Sequence, residues 1–180
     1  MSQAEVSIET LRKIPLLQYL NDEECRQVKE AATTQRFQTG EDVLQQGGRC
    51  QNLWIVLEGE CEVIKLIGEG PRPKKIVLAS LGPYDNFGEM SFFHTAPHSA
   101  AVRACSKLKL FRITREAYDQ LIESGVGAAF KLAYNTVVTL AQRLRRMDEW
   151  VARLLSENGK ENRVGDWKGF REKLFQEWNL

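Results

Sequence analysis

Apolar and polar residues change their spacing several times along this chain. Cys25, Val28, Ala31 and Ala32 fall at helical intervals behind Asn21 and Glu24. Those two residues form the signature of a capping box, so a helix is predicted to open at Leu20–Glu24. From about Arg36 to Thr114 short apolar runs alternate with turn residues at intervals of roughly ten, as an all-β sandwich or barrel requires. Thr39–Gly40–Glu41 and Gln46–Gly47–Gly48 punctuate its start. Asn52 to Ile67 reads as two strands joined at Glu58–Gly59. Glu60, Cys61, Glu62 and Val63 alternate there with the period of a half-buried strand. Gly68 to Lys75, "GEGPRPKK", is an exposed hairpin loop, because its prolines and glycines exclude a regular ladder. Lys75–Leu81 is the returning strand, Gly82–Asn86 the next turn, and Ser99–Thr114 the last two strands.

Helical spacing returns at Arg115–Glu123, with Thr114 as N-cap. A long helix is predicted from about Val126 to Leu155. Its apolar positions are Phe130, Ala133, Val137, Leu140, Leu144, Met147, Val151 and Leu154, in alternating steps of three and four. That is a sustained heptad seam. Gln142, Arg143, Arg145, Arg146, Glu149 and Arg153 make the polar side. Either this helix packs on its own barrel, or it forms the seam of a parallel homodimer; strict heptad spacing favours the dimer. Ser156–Asp166 is a polar linker. Behind it Trp167, Phe170, Leu174, Phe175 and Trp178 share one helical face, with Asp166 as candidate N-cap and Gly169 as a weak point. Two tryptophans on so short a segment need cover, from the domain, from a dimer mate or from a protein partner. The implied organisation is a tail over 1–13, a β domain with flanking short helices over 14–125, the long helix over 126–155, and a linker with an amphipathic segment over 156–180.

Composition narrows the classes. The chain has 180 residues, 43% apolar and 27% charged, which marks a globular protein. Lys plus Arg (25) nearly cancels Asp plus Glu (24), so there is no broad electrostatic footprint for nucleic acid. No apolar run reaches the roughly 18 residues of a membrane span. MSQAEVSIET lacks the basic-then-apolar order of a signal peptide, which points to the cytoplasm. Cys25, Cys50, Cys61 and Cys105 are widely spaced and form no CxxC, so zinc, thioredoxin and iron–sulfur readings fail on spacing. They read as reduced, mostly buried thiols.

The order of helix, glycine-punctuated strands and long heptad helix comes with two motifs. One is Gly40 to Val63, "GEDVLQQGGRCQNLWIVLEGECEV". The other is Leu81 to Ala104, "LGPYDNFGEMSFFHTAPHSAAVRA". From about Ile14 to Leu155 the chain resembles the cyclic-nucleotide-binding domain of the catabolite-activator and protein-kinase regulatory-subunit type. The resemblance implies a mainly β fold, a double-stranded β-helix (jelly-roll) barrel with an N-terminal helix and a long C-terminal helix. It implies cAMP or cGMP as ligand and a cassette of Gly88, Glu89, Met90, His98, Ser99 and Ala100 for ribose and cyclic phosphate. Glu89 can accept from the ribose 2′-OH, and Gly88 lets backbone approach the sugar. The turn at Ala96–Pro97 leads into backbone N–H groups that can face phosphate oxygens. Ser99 can add a hydroxyl, and the small Ala100 leaves room.

His98 departs from the pattern, because the family places an arginine fork at that position. A histidine with its ordinary pKa near 6.5 is mostly neutral at pH 7. Charge-assisted hydrogen bonds contribute about 1.5–3 kcal/mol, so nucleotide affinity is expected to fall roughly 10- to 100-fold. Arg103, five residues along an extended strand, is expected on the opposite face. Met147 and Asp148 align near the adenine edge as candidate base contacts; Met147 also fits the dimer seam and Asp148 a solvated position.

Rival chemistries are weaker. His94 and His98 have i, i+4 spacing, but Pro97 opposes a helix there and no further ligands cluster, so no metal is expected. Cys105 falls in an apolar strand pattern and no glycine-framed serine elbow occurs, so no enzyme is expected. After Leu155 only 25 residues remain, too few for a DNA-reading domain with its own core. Two functions survive: a stand-alone dimeric sensor that signals through the long helix, and a degenerate dimerisation or docking module with the same fold.

Overall fold

The structure, a computed structural model, describes residues 6–68, 73–123 and 127–157, the last four without their side chains. The predicted capping box forms. Asn21 Oδ1 accepts from the Glu24 N–H (2.9 Å) and Glu24 Oε2 accepts from the Asn21 N–H (2.7 Å). An earlier helix, α1 (Ile8–Arg12), and a 3-10 turn (Pro15–Leu17) precede this second helix, α2 (Asp22–Ala31). The N-terminal segment is therefore more than a tail: Leu11 and Ile14 are fully buried and Val6 is buried with them. Five helical residues are too few to show a period in sequence; their order comes from this burial and from the Ser7 cap on the Thr10 N–H.

Strand β1 (Ala32–Phe37) begins directly at the end of α2, earlier than the Arg36 expected. Ala32 is extended and already pairs with Ile113, so the ladder takes over from helical propensity. Then come β2 (Asp42–Leu44), β3 (Asn52–Glu58), β4 (Cys61–Ile67), β5 (Lys74–Leu81) and β6 (Asn86–Phe87). Helix α3 (Glu89–Phe93), β7 (Ala101–Ala104), β8 (Leu108–Thr114), α4 (Arg115–Glu123) and α5 (Gly127–Glu157) complete the chain. Thr114 caps α4 as predicted, its hydroxyl accepting from the Ala117 N–H (3.2 Å).

The strands form two antiparallel four-stranded sheets, in the orders β1-β8-β3-β6 and β2-β7-β4-β5. The architecture is mainly β with flanking helices. A closed jelly-roll barrel is not formed, because among the described residues no strand of one sheet pairs with a strand of the other.

Alternation on the central strands explains the layering. Leu53, Ile55, Leu57, Phe111 and Ile113 pack against the helices, with Leu11, Ile14, Val28 and Leu132. Their neighbours Trp54, Val56, Leu108 and Leu110 face the second sheet, with Leu44, Cys61, Val102 and Ala104. The central strands β3 and β8 are thus covered on both faces, which is why β3 carries five consecutive buried residues.

The chain divides into two compact units at Thr136/Val137, within α5. In the first, the Asn135 amide donates to the carbonyls of Leu16 (3.0 Å) and Gln18 (2.8 Å), and Lys131 pairs with Glu24 (2.6 Å). In the second, Leu144, Met147 and Trp150 are exposed, and Arg145 pairs with Glu149. Leu154's side chain and the Trp167–Trp178 face lie outside the described residues.

Candidate functional site

The cassette starts where β6 ends. Phe87 pairs with Trp54 across the ladder and stacks on its indole at 6.2 Å. Gly88 then turns the chain at φ +85°. A Cβ there would lie 2.5 Å from the Asn52 carbonyl oxygen and 3.2 Å from Trp54 Cδ1, so only glycine fits. This turn launches α3, a five-residue helix that the sequence pattern does not predict. Glu89, its first residue, is 4% exposed, while Met90 is 60% exposed. Phe92 anchors the helix in the core against Tyr118, and the Phe92 carbonyl accepts from the Gln51 amide and from Arg115 Nη1 (3.3 Å each).

His98 turns inward. It is 7% exposed. Its backbone bridges the β2–β3 loop: the His98 N–H donates to the Gly48 carbonyl and the Gly47 N–H to the His98 carbonyl, both at 2.8 Å. Its ring lies between Ser91 Oγ, 2.8 Å from Nδ1, and Cys50 Sγ, 3.0 Å from Nε2. Ser91 Oγ is also 3.4 Å from the Gly88 carbonyl. One neutral arrangement satisfies all of these groups: Cys50 S–H donates to Nε2, Nδ1–H donates to Ser91, and the Ser91 hydroxyl donates to Gly88. Burial pushes the His98 pKa below its ordinary 6.5. A conditional phosphate cation at this position, charging in mild acid, is therefore not what the fold favours.

A pH dependence of stability follows. The unfolded chain protonates His98 near pH 6.5, and the folded chain does so only at lower pH. The stability contributed by neutral His98 is present above pH 6.5 and is lost as pH falls from there toward the folded pKa. Urea unfolding between pH 7.5 and 5.5 is expected to show a steeper loss for the wild type than for His98→Gln; parallel slopes would contradict the assignment.

The remaining cassette residues split. Ser99 is exposed and Ala100 buried. The Ser99 carbonyl accepts a hydrogen bond from Lys65 Nζ, a residue that sequence reasoning missed. The signal was available: Cys61 and Val63 face the core, and Lys65 continues their alternation. Arg103 points away, as expected, and is held by both Asp42 oxygens (2.6 and 3.1 Å). The Arg103 hydrogen bonds hold the Asp42 carboxyl below its ordinary pKa. A cleft of about 410 Å³ lies beside this pair, lined also by Ile64, Leu66, Lys75 and Ala101. Those residues alternate with the core-facing ones, so the cleft belongs to the other face of the second sheet.

Met147 and Asp148 are exposed residues of the second unit. His94 is exposed at the C-cap of α3. All four cysteines are free, but only Cys25 and Cys61 are buried; Cys105 is exposed in the turn between β7 and β8, not inside a strand. Among the described residues no group of three or more His, Cys, Asp or Glu is placed to hold a metal. No described helix is long and apolar enough to cross a membrane.

Two antiparallel four-stranded sheets with flanking helices, and a glycine–glutamate turn tied to the segment before β7, define the class of β domain. The family model of the cyclic nucleotide-binding domain matches residues 34–124, and the chain belongs to that family. The cAMP-dependent protein kinase regulatory subunit of Schizosaccharomyces pombe is 28% identical over 116 residues, 64% of this chain and 26% of that protein. The catabolite activator protein of Thermus thermophilus superposes with a TM-score of 0.67 at 28% identity, over 78% of this chain and 62% of that one. A cyclic nucleotide-binding domain from Methylobacillus flagellatus gives 0.70 at 25% identity, over 81% and 80%. The chain thus spans about a quarter of the kinase subunit and under two thirds of the activator.

Proposed function

We propose that this chain is a regulatory sensor, not an enzyme, whose cassette takes a cyclic nucleotide and whose long helix carries the response. One observation carries the reading. The Ser91–His98 hydrogen bond ties α3, and with it Gly88 and Glu89, to the segment holding Ser99 and Ala100. The groups suited to a ribose and to a cyclic phosphate are thereby held in one place. Glu89 accepts from the 2′-OH, Gly88 admits the sugar, and Ser99 with its neighbouring backbone N–H groups meets the phosphate. Among the relatives, the kinase subunit's name ties it to cAMP.

The helix seam supports homodimerisation: Phe130 is 74% and Val137 64% exposed, and apolar side chains at heptad spacing gain by mutual burial. The Trp167–Trp178 face is the proposed contact to a downstream protein, in the cytoplasm, with no nucleic acid or membrane involved.

A second reading, a docking module without nucleotide, draws support from the inward turn of His98. Calorimetric titration of the wild type with cAMP and cGMP at pH 7.5 separates the two. Saturable heat is expected. No heat from either nucleotide, with the fold verified by circular dichroism, leaves the docking module.

A further inference from the structure

We propose that Lys65 supplies the cation of this pocket, holding the ligand's anionic group beside Ser99. The inference rests on the nucleotide-pocket reading and names the residue that makes it work without an arginine.

Strand β4 sets the geometry. Cys61 is fully buried in the core between the sheets and Val63 packs against it, so Lys65 projects from the same face. Ile64 pairs with Ala101, and one further step of that register places Lys65 across from Ala100. A long side chain opposite a small one crosses to the cassette backbone, where Nζ donates to the Ser99 carbonyl. That bond anchors the ammonium one residue beyond His98. Its acceptor is neutral, so it does not cancel the positive charge. An ammonium has three donors, and the others can serve an anion.

Among the other cations near the cassette, Arg115 is engaged by Asp119 and by the Phe92 carbonyl. His98 is buried, and burial disfavours its charged form. Arg103 is committed to Asp42 on the opposite face. Arg49 is exposed on the loop between β2 and β3 and serves as the comparison residue. Lysine acts as a point charge without arginine's fork, so the site discriminates by charge more than by oxygen geometry.

The test compares wild type, Lys65→Met, Lys65→Arg and Arg49→Gln. Each is titrated with cAMP, cGMP, the uncharged nucleoside adenosine, and inorganic pyrophosphate, by calorimetry and by amide shifts at Ser99–Ala101. Lys65→Met is expected to lose at least tenfold in affinity for the charged ligands, with adenosine unchanged. Lys65→Arg is expected to retain most of the affinity, and raising salt to weaken wild type more than Lys65→Met. Nucleotide binding equal in wild type and Lys65→Met, or lost only in Arg49→Gln, overturns the Lys65 assignment and leaves the nucleotide pocket standing. Pyrophosphate shifts that vanish in Lys65→Met, with both nucleotides silent, uphold Lys65 and overturn the nucleotide reading. Silence from every charged probe overturns both.

Discussion

Gly59→Ala is expected to destabilise the protein by about 3 kcal/mol or more. Gly59 joins β3 to β4 at φ +86°, a conformation that costs a side-chain-bearing residue about 1–2 kcal/mol. Space is the larger problem. A Cβ there would lie 2.2 Å from the Lys107 carbonyl oxygen and 2.8 Å from Ser106 Oγ. The nearest atom is backbone of the residue just before β8, and β8 is the strand between β1 and β3. The turn cannot yield without shifting a central ladder. For a chain of this size the loss corresponds to a fall in melting temperature of roughly 6–12 °C. Thermal unfolding of the purified variant measures it; a fall under about 3 °C would mean the hairpin relaxes locally.

His98→Arg is expected to raise cAMP affinity about 10- to 100-fold, the worth of a charge-assisted fork on a phosphate. The native ring ends between Ser91 and Cys50, and a longer guanidinium can pass beyond them toward Ser99. The variant gives up both side-chain hydrogen bonds, so a loss of stability of about 1–2 kcal/mol accompanies the gain in affinity. Placed in the Lys65→Met background, the same change is expected to restore binding. Calorimetry reads the affinities and urea unfolding the stability. Unchanged affinity with the fold intact would mean that position 98 does not face the ligand's phosphate.

Local signals were legible in the sequence. The Asn21–Glu24 box, the Thr114 cap, the Glu58–Gly59 turn and the long helix all depend on residues within a few positions of one another. The structure forms each where the pattern put it. The failures share a cause in distance. Helix α1 is short, and its order rests on the burial of Leu11 and Ile14. Helix α3 follows from the turn at Gly88, which the close approach of Asn52 imposes. At the candidate site, Gly88, Glu89, Ser99 and Ala100 were named through the family resemblance that their motif carries, with residue types supplying only the chemistry each could offer. The fate of His98 could not be read that way. It is decided by Cys50, 48 positions away, and by Ser91 on a helix with no sequence signal. Lys65 was readable as the third member of the Cys61–Val63 alternation, but its partner Ser99 lies 34 positions on. The second sheet also shows why alternation alone misleads: Ile64 is buried although it alternates with the core-facing residues and lines the cleft on the outer face.

The central claim is that the cassette itself receives a cyclic nucleotide. Amide chemical-shift mapping of the full chain during a cAMP titration tests it most directly. The account predicts saturable shifts concentrated at Gly88, Glu89, Ser99 and Ala100, with Lys65 and its β4 neighbours following. Saturable shifts confined to other surfaces, or none at millimolar cAMP with the spectrum of a folded protein, would contradict it.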